Sequence, residues 1–433
     1  MEWVPILPAH WRHTRLRRIA RIFAGGTPDR TNLDYWTDGT VPWLNSGSVN
    51  DGVITQPSEW ITEDASLGGR TRWVPAGSVL IALAGQGKTK GMAARLEFAS
   101  TCNQSMAAIV PAPNVDYRYV QFWLNANYQN IRNLAGGDLR DGLNLQHISG
   151  ISMPLPPTSE QHAIADYLDR ETAEIDAFIA DQEDLIGLLN ERRVATTTQA
   201  VTKGLDLNVR MKDSGVEWLG WVPEDWRIQR LWTLFTREKN VGHPDEMMLS
   251  VFRDYGVIPK ESRENLNKTA ENRNIYQLVE PGWLVSNRMK AWQGSVGISS
   301  YRGIVSGHYI CFRPVHNEID GYLNSLFRSD PYAAGYRSIS RGVRIGQAEI
   351  DNDEYKLLPV LLPPVAEQRR IAAYLERENA EIDAAVEDAQ KAIDLSKERR
   401  AAVISAAVTG QIDLRDHTTT KQAVIQGGPV GVA

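Results

Sequence analysis

The sequence predicts an α+β protein in which two mixed α/β globular domains are separated by a pair of long antiparallel helices, related by a pseudo-twofold internal repeat. Three observations predict this fold class. Residues 156–206 recur without a gap as residues 363–413, and a long internal period indicates duplicated modules. Each copy has the pattern of one long helix. The two segments outside the copies resemble each other more loosely and contain all 13 tryptophans.

The repeat is defined by residues that recur at a constant offset of 207. In the first copy they are Pro156-Pro157, Glu160-Gln161, Ile164-Ala165, Tyr167-Leu168, Arg170-Glu171, Ala173-Glu174-Ile175-Asp176-Ala177, Glu191-Arg192-Arg193 and Val201-Thr202. Chance does not produce this many matches in one register, so the chain carries a duplication.

Each copy is predicted to be a single helix because two prolines end the preceding element and few helix breakers follow. Residues 365–409 contain no proline or glycine, and the corresponding residues 158–202 of the first copy contain only Gly187. A helix of forty residues spans ~60 Å. Because neither helix can bury its imperfect heptad seam alone, we expect the two to pack antiparallel. A coiled coil with another chain is the alternative, and the duplication favours the intramolecular pair.

The globular segments show alternating apolar runs and glycine-rich loops, which predict mixed α/β domains. The predicted boundaries are a first domain at 1–153, a first helix at 154–206, a second domain at 207–362, a second helix at 363–414 and a disordered tail at 415–433. Leu7-Pro8 and Trp11-Arg12 return as Val222-Pro223 and Trp226-Arg227. The residues at 76–81 likewise resemble those at 281–286.

Composition predicts a soluble protein of several domains in the cytoplasm. Its 433 residues are 42% hydrophobic and 23% charged, and no apolar run approaches the length of a membrane span. We therefore expect no membrane partner, and the N-terminus has no signal-peptide pattern. Cys102 and Cys311 are the only cysteines, which predicts buried, reduced thiols rather than a disulfide framework.

The net charge of −6 is unevenly distributed. Residues 1–157 carry +2 and residues 207–362 carry +1, whereas residues 158–206 carry −7 and residues 363–433 carry −2. The acidity therefore belongs to the predicted helices. The two globular segments can still present basic faces to a nucleic acid.

The loop Gly85-Gln86-Gly87-Lys88-Thr89 partly matches a phosphate-binding P-loop. The full pattern requires a glycine where this chain has Ala82, and the residues that follow are a poor helix start. A flexible cationic loop that contacts phosphates or bases is the favoured interpretation, and a surface turn is the simpler one.

No persuasive catalytic arrangement is present in the sequence. The Pro-Pro sites at 156 and 363 have the wrong neighbours for the catalytic tetrapeptide of a DNA methyltransferase, and the acidic residues after Asp245 lack the lysine of a nuclease motif. His10 and His13 have no further metal ligands beside them. We therefore predict a chain that is not itself an enzyme and that carries no catalytic or metal site.

What remains is recognition chemistry in glycine-flanked loops. Arginine and lysine reach phosphates and guanine edges, and asparagine and glutamine pair with adenine. Each side chain alone is more often a solvated surface group, and the matching sets in two domains carry the prediction. The candidates are Arg70, Arg72, Lys88, Thr89, Lys90, Arg140, Asn144 and Gln146 in the first domain, and Arg253, Arg288, Lys290, Arg302, Arg341 and Arg344 in the second.

The repeated helix start, with Glu160-Gln161 and Tyr167-Leu168, resembles the conserved regions of specificity subunits of type I restriction-modification systems. So do Gly25-Gly26-Thr27-Pro28, the run at 41–47 and the run at 211–220. The resemblance covers residues 5–413. The doubled helix motif is its most specific part, because the domains of this family vary with the target.

The resemblance implies two target-recognition domains, each reading half of a bipartite, asymmetric DNA sequence, with Thr27 and Arg30 added to the DNA-binding residues. The helices would fix the gap and dock two modification subunits through Glu160, Gln161, Tyr167 and Glu174, and through Glu367, Gln368, Tyr374 and Glu381. No cofactor is expected in this chain. S-adenosylmethionine, ATP and Mg²⁺ belong to the partner subunits, and the presence of a restriction subunit stays open.

Two other classes of function stay open on the residues alone. One is a scaffold whose two domains bind proteins. The other is a nucleotide-dependent enzyme that uses the loop from Gly85 to Thr89. Neither accounts for the duplication as well as DNA recognition does.

Overall fold

A computed structural model describes residues 3, 7–68, 71–85, 87–135, 142–262, 272–342 and 348–415. The predicted tail therefore lies outside the described residues from position 416 onward. The chain forms two compact units, the first comprising 1–181 and 392–433 and the second comprising 182–391. Both mix helix and sheet, in agreement with the predicted α+β class.

Among its described residues, the first unit contains ten strands and the first helices of the chain. Its strands are β1 Arg12–Arg15, β2 Ala20–Ala24, β3 Val41–Leu44, β4 Val53–Ile54, β5 Glu59–Ile61, β6 Ser78–Ala82, β7 Ala93–Leu96, β8 Thr101–Cys102, β9 Met106–Pro111 and β10 Ser152–Leu155. Its helices are α1 Glu63–Gly68, α2 Tyr117–Ala126, α3 Tyr128–Asn133, α4 Leu145–Gly150 and the beginning of α5 Thr158–Lys203.

The main sheet of the first unit has the strand order β2-β9-β6-β7-β4. Its centre, β6, is buried along its whole length, as expected for a continuous apolar run. Helix α2 covers one face with Tyr119 and Trp123, both almost fully buried. Asp116 begins α2 by accepting a hydrogen bond from the Arg118 N–H at 2.8 Å.

A smaller sheet of order β5-β3-β8 joins the main sheet at Gly25. A Cβ atom at this position would overlap the carbonyl oxygen of Cys102, and the next amide, Gly26 N–H, donates to that same oxygen at 2.8 Å. Glycine is required here because the two backbones lie in direct contact.

We expect Gly25→Ala to lower the free energy of unfolding by about 2–4 kcal/mol, because two backbones cannot separate without breaking this junction. Urea unfolding followed by tryptophan fluorescence measures the change. Gly150→Ala is the matched control, since its Cβ would meet no atom within 4 Å. An equal loss in both variants would contradict this account.

In the part of the second unit that the structure describes, there are fourteen strands and the remaining helices. Its strands are β11 Met211–Asp213, β12 Trp221–Pro223, β13 Arg227–Arg230, β14 Phe235–Arg237, β15 Leu249–Phe252, β16 Gly256–Pro259, β17 Gln277–Val279, β18 Leu284–Asn287, β19 Val296–Ile298, β20 Gly303–Val305, β21 Tyr309–Pro314, β22 Ser340–Arg341, β23 Glu349–Ile350 and β24 Pro359–Leu362. Its helices are the end of α5, then α6 Asp320–Arg328, α7 Asp330–Ser338, α8 Asn352–Lys356 and most of α9 Val365–Val408. The end of α9 belongs to the first unit.

The main sheet of the second unit has the order β14-β21-β18-β19, which matches β2-β9-β6-β7 of the first. Helix α6 takes the place of α2. The fully buried Tyr322 hydroxyl donates to the carbonyls of Leu361 at 2.9 Å and Val201 at 3.2 Å. In the first unit, the Tyr119 hydroxyl donates likewise to Pro154 and Val408.

Each long helix contributes to both units. In the first unit Glu171 and Asp176 of α5 pair with arginines of α9, and in the second unit Glu378 and Asp383 of α9 pair with arginines of α5. The distances are Glu171–Arg399 3.8 Å, Asp176–Arg400 2.8 Å, Glu378–Arg192 2.9 Å and Asp383–Arg193 2.5 Å. The two sets are related by the sequence offset, with the roles of the helices exchanged. Within the described ranges, neither these helices nor any other is apolar over a length that would cross a bilayer.

Candidate nucleic-acid interface

Three segments of the first unit meet beyond the end of β6: the 3₁₀ turn Ser46–Asp51, the loop at 83–92, and α3. Thr89 Oγ1 donates to Asn50 Oδ1 at 3.3 Å, and the Tyr128 hydroxyl donates to the carbonyl of Lys88 at 2.6 Å. Arg132 Nη1 in turn donates to the Tyr128 hydroxyl at 2.9 Å. The backbone of the loop is therefore held in place while the side chain of Lys88 is exposed.

The corresponding junction of the second unit is formed by the β15–β16 turn, the 3₁₀ turn Ala291–Gln293 after β18, and α7. It encloses a cleft of about 650 Å³. Arg253 lies 3.5 Å from Asp330, and a Cβ atom at Gly294 would lie 3.5 Å from the Cγ of Arg253. The polar and aromatic residues that line the cleft are Arg253, Trp292, Gln293, Ser295, Asp330 and Arg337.

Both junctions combine cations, amides and an aromatic ring at one place. Arg253 and Arg337 are exposed and have the fork geometry that binds phosphates or guanine edges, and Gln293 can pair with adenine. Trp292 is half-buried and offers an apolar surface beside them. This set can bind a polyanion that presents both phosphates and base edges.

Sequence reasoning missed Asn50 and Arg132 in the first junction, and Trp292, Gln293 and Arg337 in the second. A signal for the two turns was present, because Asn50 precedes Asp-Gly-Val-Ile and Arg253 precedes the similar run Asp-Tyr-Gly-Val-Ile. The helix residues had no such signal. Arg132 and Arg337 reach the junctions only because α3 and α7 pack against these loops in the folded protein.

The motif Gly25-Gly26-Thr27-Pro28 has structural partners in this fold. The Trp43 indole donates to the carbonyl of Gly26 at 3.1 Å, and the Thr27 hydroxyl donates to Gln104. Arg30 lies 3.7 Å from the ring centre of Trp36 and binds Glu59 through two hydrogen bonds of 2.6 and 2.9 Å. To contact DNA as predicted, the side chains of Thr27 and Arg30 would have to replace these contacts within the protein by contacts with DNA.

The other candidates of the first unit are distributed over several surfaces. Lys90 is only 5% exposed, which differs from the expected solvent-facing cation, because the loop folds its side chain inward. Arg72 is exposed above the Phe23 ring, and Gln146 is exposed on α4. Asn144 caps α4 by accepting the His147 N–H at 2.8 Å. Arg70 and Arg140 lie outside the described residues.

In the second unit three further predicted cations form ion pairs, as Arg253 does with Asp330. Arg302 binds Glu246 at 2.9 Å and Glu280 at 2.6 Å, and the Glu246 carboxylate raises the pKa of the guanidinium. Arg341 lies 3.4 Å from Asp351, and Arg288 pairs with Glu349. Lys290 is exposed beside the cleft. Arg344 lies outside the described residues.

The predicted docking residues at the helix starts have contacts within their own units. Gln161 is 1% exposed, accepts the Asp116 N–H at 3.0 Å and donates to the carbonyl of Pro156 at 2.9 Å. Gln368 is fully buried and makes the same two contacts with Ile319 and Pro363, at 2.9 Å each. Their assignment to partner docking is corrected here, because a buried amide cannot reach a partner.

The neighbouring glutamates also have contacts within their units. Glu160 accepts the Trp11 indole N–H at 2.9 Å, and Glu367 accepts that of Trp226 at 3.2 Å. The remaining predicted docking residues are accessible: Tyr167 and Tyr374 are half-buried, and Glu174 and Glu381 are exposed.

The two most exposed leucines among the described residues of the long helices were not predicted. Leu188 is 63% exposed and Leu395 is 65% exposed, and the two positions are related by the repeat. Their spacing in the repeat could have identified them from the sequence.

Neither cysteine is poised for chemistry, because burial raises the pKa of Cys102 and of Cys311 to about 12. In the described parts of the chain, no group of three or more His, Cys, Asp or Glu residues is placed to hold a metal ion. The loop from Gly85 to Thr89 leads into strand β7 rather than into a helix. It therefore lacks the helix N-terminus that a P-loop uses to bind phosphate.

Comparison with known proteins gives one consistent result. Residues 8–183 match the family model "Type I restriction modification DNA specificity domain". The Escherichia coli EcoR124I/EcoR124II specificity subunit is 26% identical over 36% of this chain and 39% of its own length. The Salmonella potsdam StySPI and Escherichia coli EcoKI specificity subunits are 22% and 21% identical, each over 94% of this chain and 90% of the relative.

Two solved structures share the fold. The HsdS subunit of Thermoanaerobacter tengcongensis is 17% identical, with a TM-score of 0.54 over 95% of this chain and all of the other. A chain from a study of complex assembly and conformational transition of the type I R-M system is 16% identical. Its TM-score is 0.65 over 94% of this chain and all of the other.

Proposed function

We propose that this chain, which belongs to the family of type I restriction-modification specificity subunits, directs its complex to a bipartite, asymmetric DNA sequence. Sequence-specific DNA recognition is its role, and each unit reads one half of the target. The observation that carries the proposal is the junction that occurs in both units. In each, a loop after the central strand meets a turn and a short helix, and basic and amide side chains collect there.

Recognition divides between positioning and reading. Exposed cations such as Lys88 and Lys290 contact phosphates, which supplies affinity and register. Arg253, Gln293 and Arg337 line a cleft that admits base edges, and these side chains discriminate between sequences. The two junctions carry different residues, which accounts for different half-sites.

The two long helices serve as the spacer between the half-sites. The four ion pairs fix the register of α5 against α9 in both units. If the length of the helices sets the spacing, the half-sites should lie about one helical turn of DNA apart. This role also explains why the acidic charge belongs to the helical segments, away from the DNA-reading loops.

Two modification subunits dock on the helices, one at each copy of the repeat. Leu188 and Leu395 provide equivalent exposed apolar positions for this contact, with Glu174 and Glu381 accessible nearby in the sequence. The partners supply the chemistry: S-adenosylmethionine-dependent adenine methylation by the modification subunits, and ATP- and Mg²⁺-dependent translocation and cleavage where a restriction subunit joins. This chain itself catalyses no step.

Methylation-sensitive long-read sequencing of cells that express the chain with its modification subunit tests the proposal. We expect one new methylated-adenine motif with two short halves and a fixed gap. Cells that express the modification subunit alone are the control and should lack the motif. A folded, assembled complex that produces no bipartite methylation would overturn the proposal and favour a protein-binding scaffold.

A further inference from the structure

The segment from β1 to β2 carries five exposed arginines within ten residues. These form the arginine strip, defined as Arg12, Arg15, Arg17, Arg18 and Arg21. Among the residues that the structure describes, none of the five takes part in an ion pair. The guanidinium of Arg21 lies 5.5 Å from the centre of the Phe23 ring. The strip was not among the candidates that sequence analysis identified.

The elements packed most closely against the strip leave its charge uncompensated. Strand β1 pairs with β10, strand β2 pairs with β9, and the 3₁₀ turn Leu16–Arg18 contacts α4. The sequences of β10, β9 and α4 contain no aspartate or glutamate. Like charges held close together destabilise a fold, so packing gives no reason for five arginines here.

The equivalent segment of the second unit has fewer arginines, and these arginines have partners within the protein. Arg227 pairs with Glu318 at 3.3 Å, and Arg230 donates to the carbonyl of Leu357 at 2.7 Å. Trp232 and Thr233 stand where the first unit has Arg17 and Arg18. Helix α8, which takes the place of α4, is acidic in its first turn. The strip is therefore a feature of the first unit and not a consequence of the shared fold.

We propose that the arginine strip binds the phosphate backbone of duplex DNA without reading its sequence, in addition to the base-reading junctions. This inference rests on the proposed function and extends it to a separate surface. Guanidinium groups bind phosphate through paired, charge-assisted hydrogen bonds. Because the 3₁₀ turn Leu16–Arg18 interrupts the extended backbone, the strip is shorter than the ~33 Å that ten extended residues would span. One DNA strand presents about ten phosphates over ~33 Å.

The test replaces Arg15, Arg17 and Arg18 by glutamine in the full chain assembled with its modification subunits. Fluorescence anisotropy with a random-sequence duplex of 40 base pairs then gives Kd between 50 and 200 mM salt. Each lost phosphate contact reduces the slope of log K against log salt by about 0.9, so we expect a reduction of about 2–3. The motif methylated in cells should stay the same.

The matched control replaces Arg369, Lys391 and Lys397, three exposed cations of α9, by glutamine. It removes the same charge and should leave the salt slope unchanged.

An unchanged slope in the strip variant would overturn the inference. Loss of the modification subunits from the complex would also overturn it, because it would indicate that the strip binds an acidic protein partner. A change in one half of the methylated motif would show that the strip reads bases, also against the inference. If the wild-type complex had no affinity for duplex, the proposed function would fail as well.

Discussion

Replacing Arg253 and Arg337 together by alanine is expected to weaken binding of the target duplex by about 100-fold to 1,000-fold. The two exposed guanidiniums line the cleft of the second unit, and each lost contact to a base or phosphate costs about 1–3 kcal/mol. The effect should be confined to one half of the target, because the first junction is unaltered. Electrophoretic mobility shifts with duplexes mutated in either half measure this selectivity.

A double replacement of Arg227 and Arg313 by alanine is the matched control. Both are exposed arginines of the second unit that do not line the cleft, and each is paired with a glutamate, Glu318 at 3.3 Å and Glu238 at 2.7 Å. This variant should bind within a few-fold of wild type. The assignment of the cleft would be wrong if the control and the cleft variant lost affinity equally, or if both halves of the target were affected.

Replacing Gln161 or Gln368 by leucine is expected to lower the free energy of unfolding of the affected unit by about 2–5 kcal/mol. Each amide satisfies one buried backbone N–H and one buried carbonyl. Leucine is of similar size but cannot form hydrogen bonds, so two polar groups lose their partners at about 1–3 kcal/mol each. Thermal or urea unfolding of the isolated chain measures the loss.

Gln129→Leu is the control, since Gln129 is exposed on α3 and loses little by the same change. Proteolysis can locate the effect, because Gln161→Leu should increase cleavage within the first unit and Gln368→Leu within the second. Partner docking through these glutamines would be supported instead if both variants kept wild-type stability but failed to bind the modification subunit.

The family resemblance that the sequence suggested is confirmed by the family model and by the relatives that cover most of the chain. The helices were predictable because their signals are local. Prolines at 156–157 and 363–364 precede helices that begin at Thr158 and Val365. The recurring Arg-Arg pairs at 192–193 and 399–400 acquire a physical reason in the fold, since each reaches a carboxylate of the other helix.

The individual DNA-contacting residues were harder to predict, because an arginine in a loop has the same sequence signature whether it is exposed or paired. Arg30 and Arg302 are held by glutamates, Lys90 is buried, and Arg337 lines a cleft although it belongs to a helix. The roles of these residues in binding remain predictions.

The sequence by itself determined the duplication, the two long helices, the α+β class and the family resemblance. Each of these follows from periodicity or from residues repeated along the chain, which folding does not change. Only the tertiary structure decided which polar side chains form hydrogen bonds or ion pairs within the protein and which are exposed. A side chain's partners come from segments far away in sequence, as Glu160 and Trp11 do, and burial or pairing there determines whether its charge is available to a ligand.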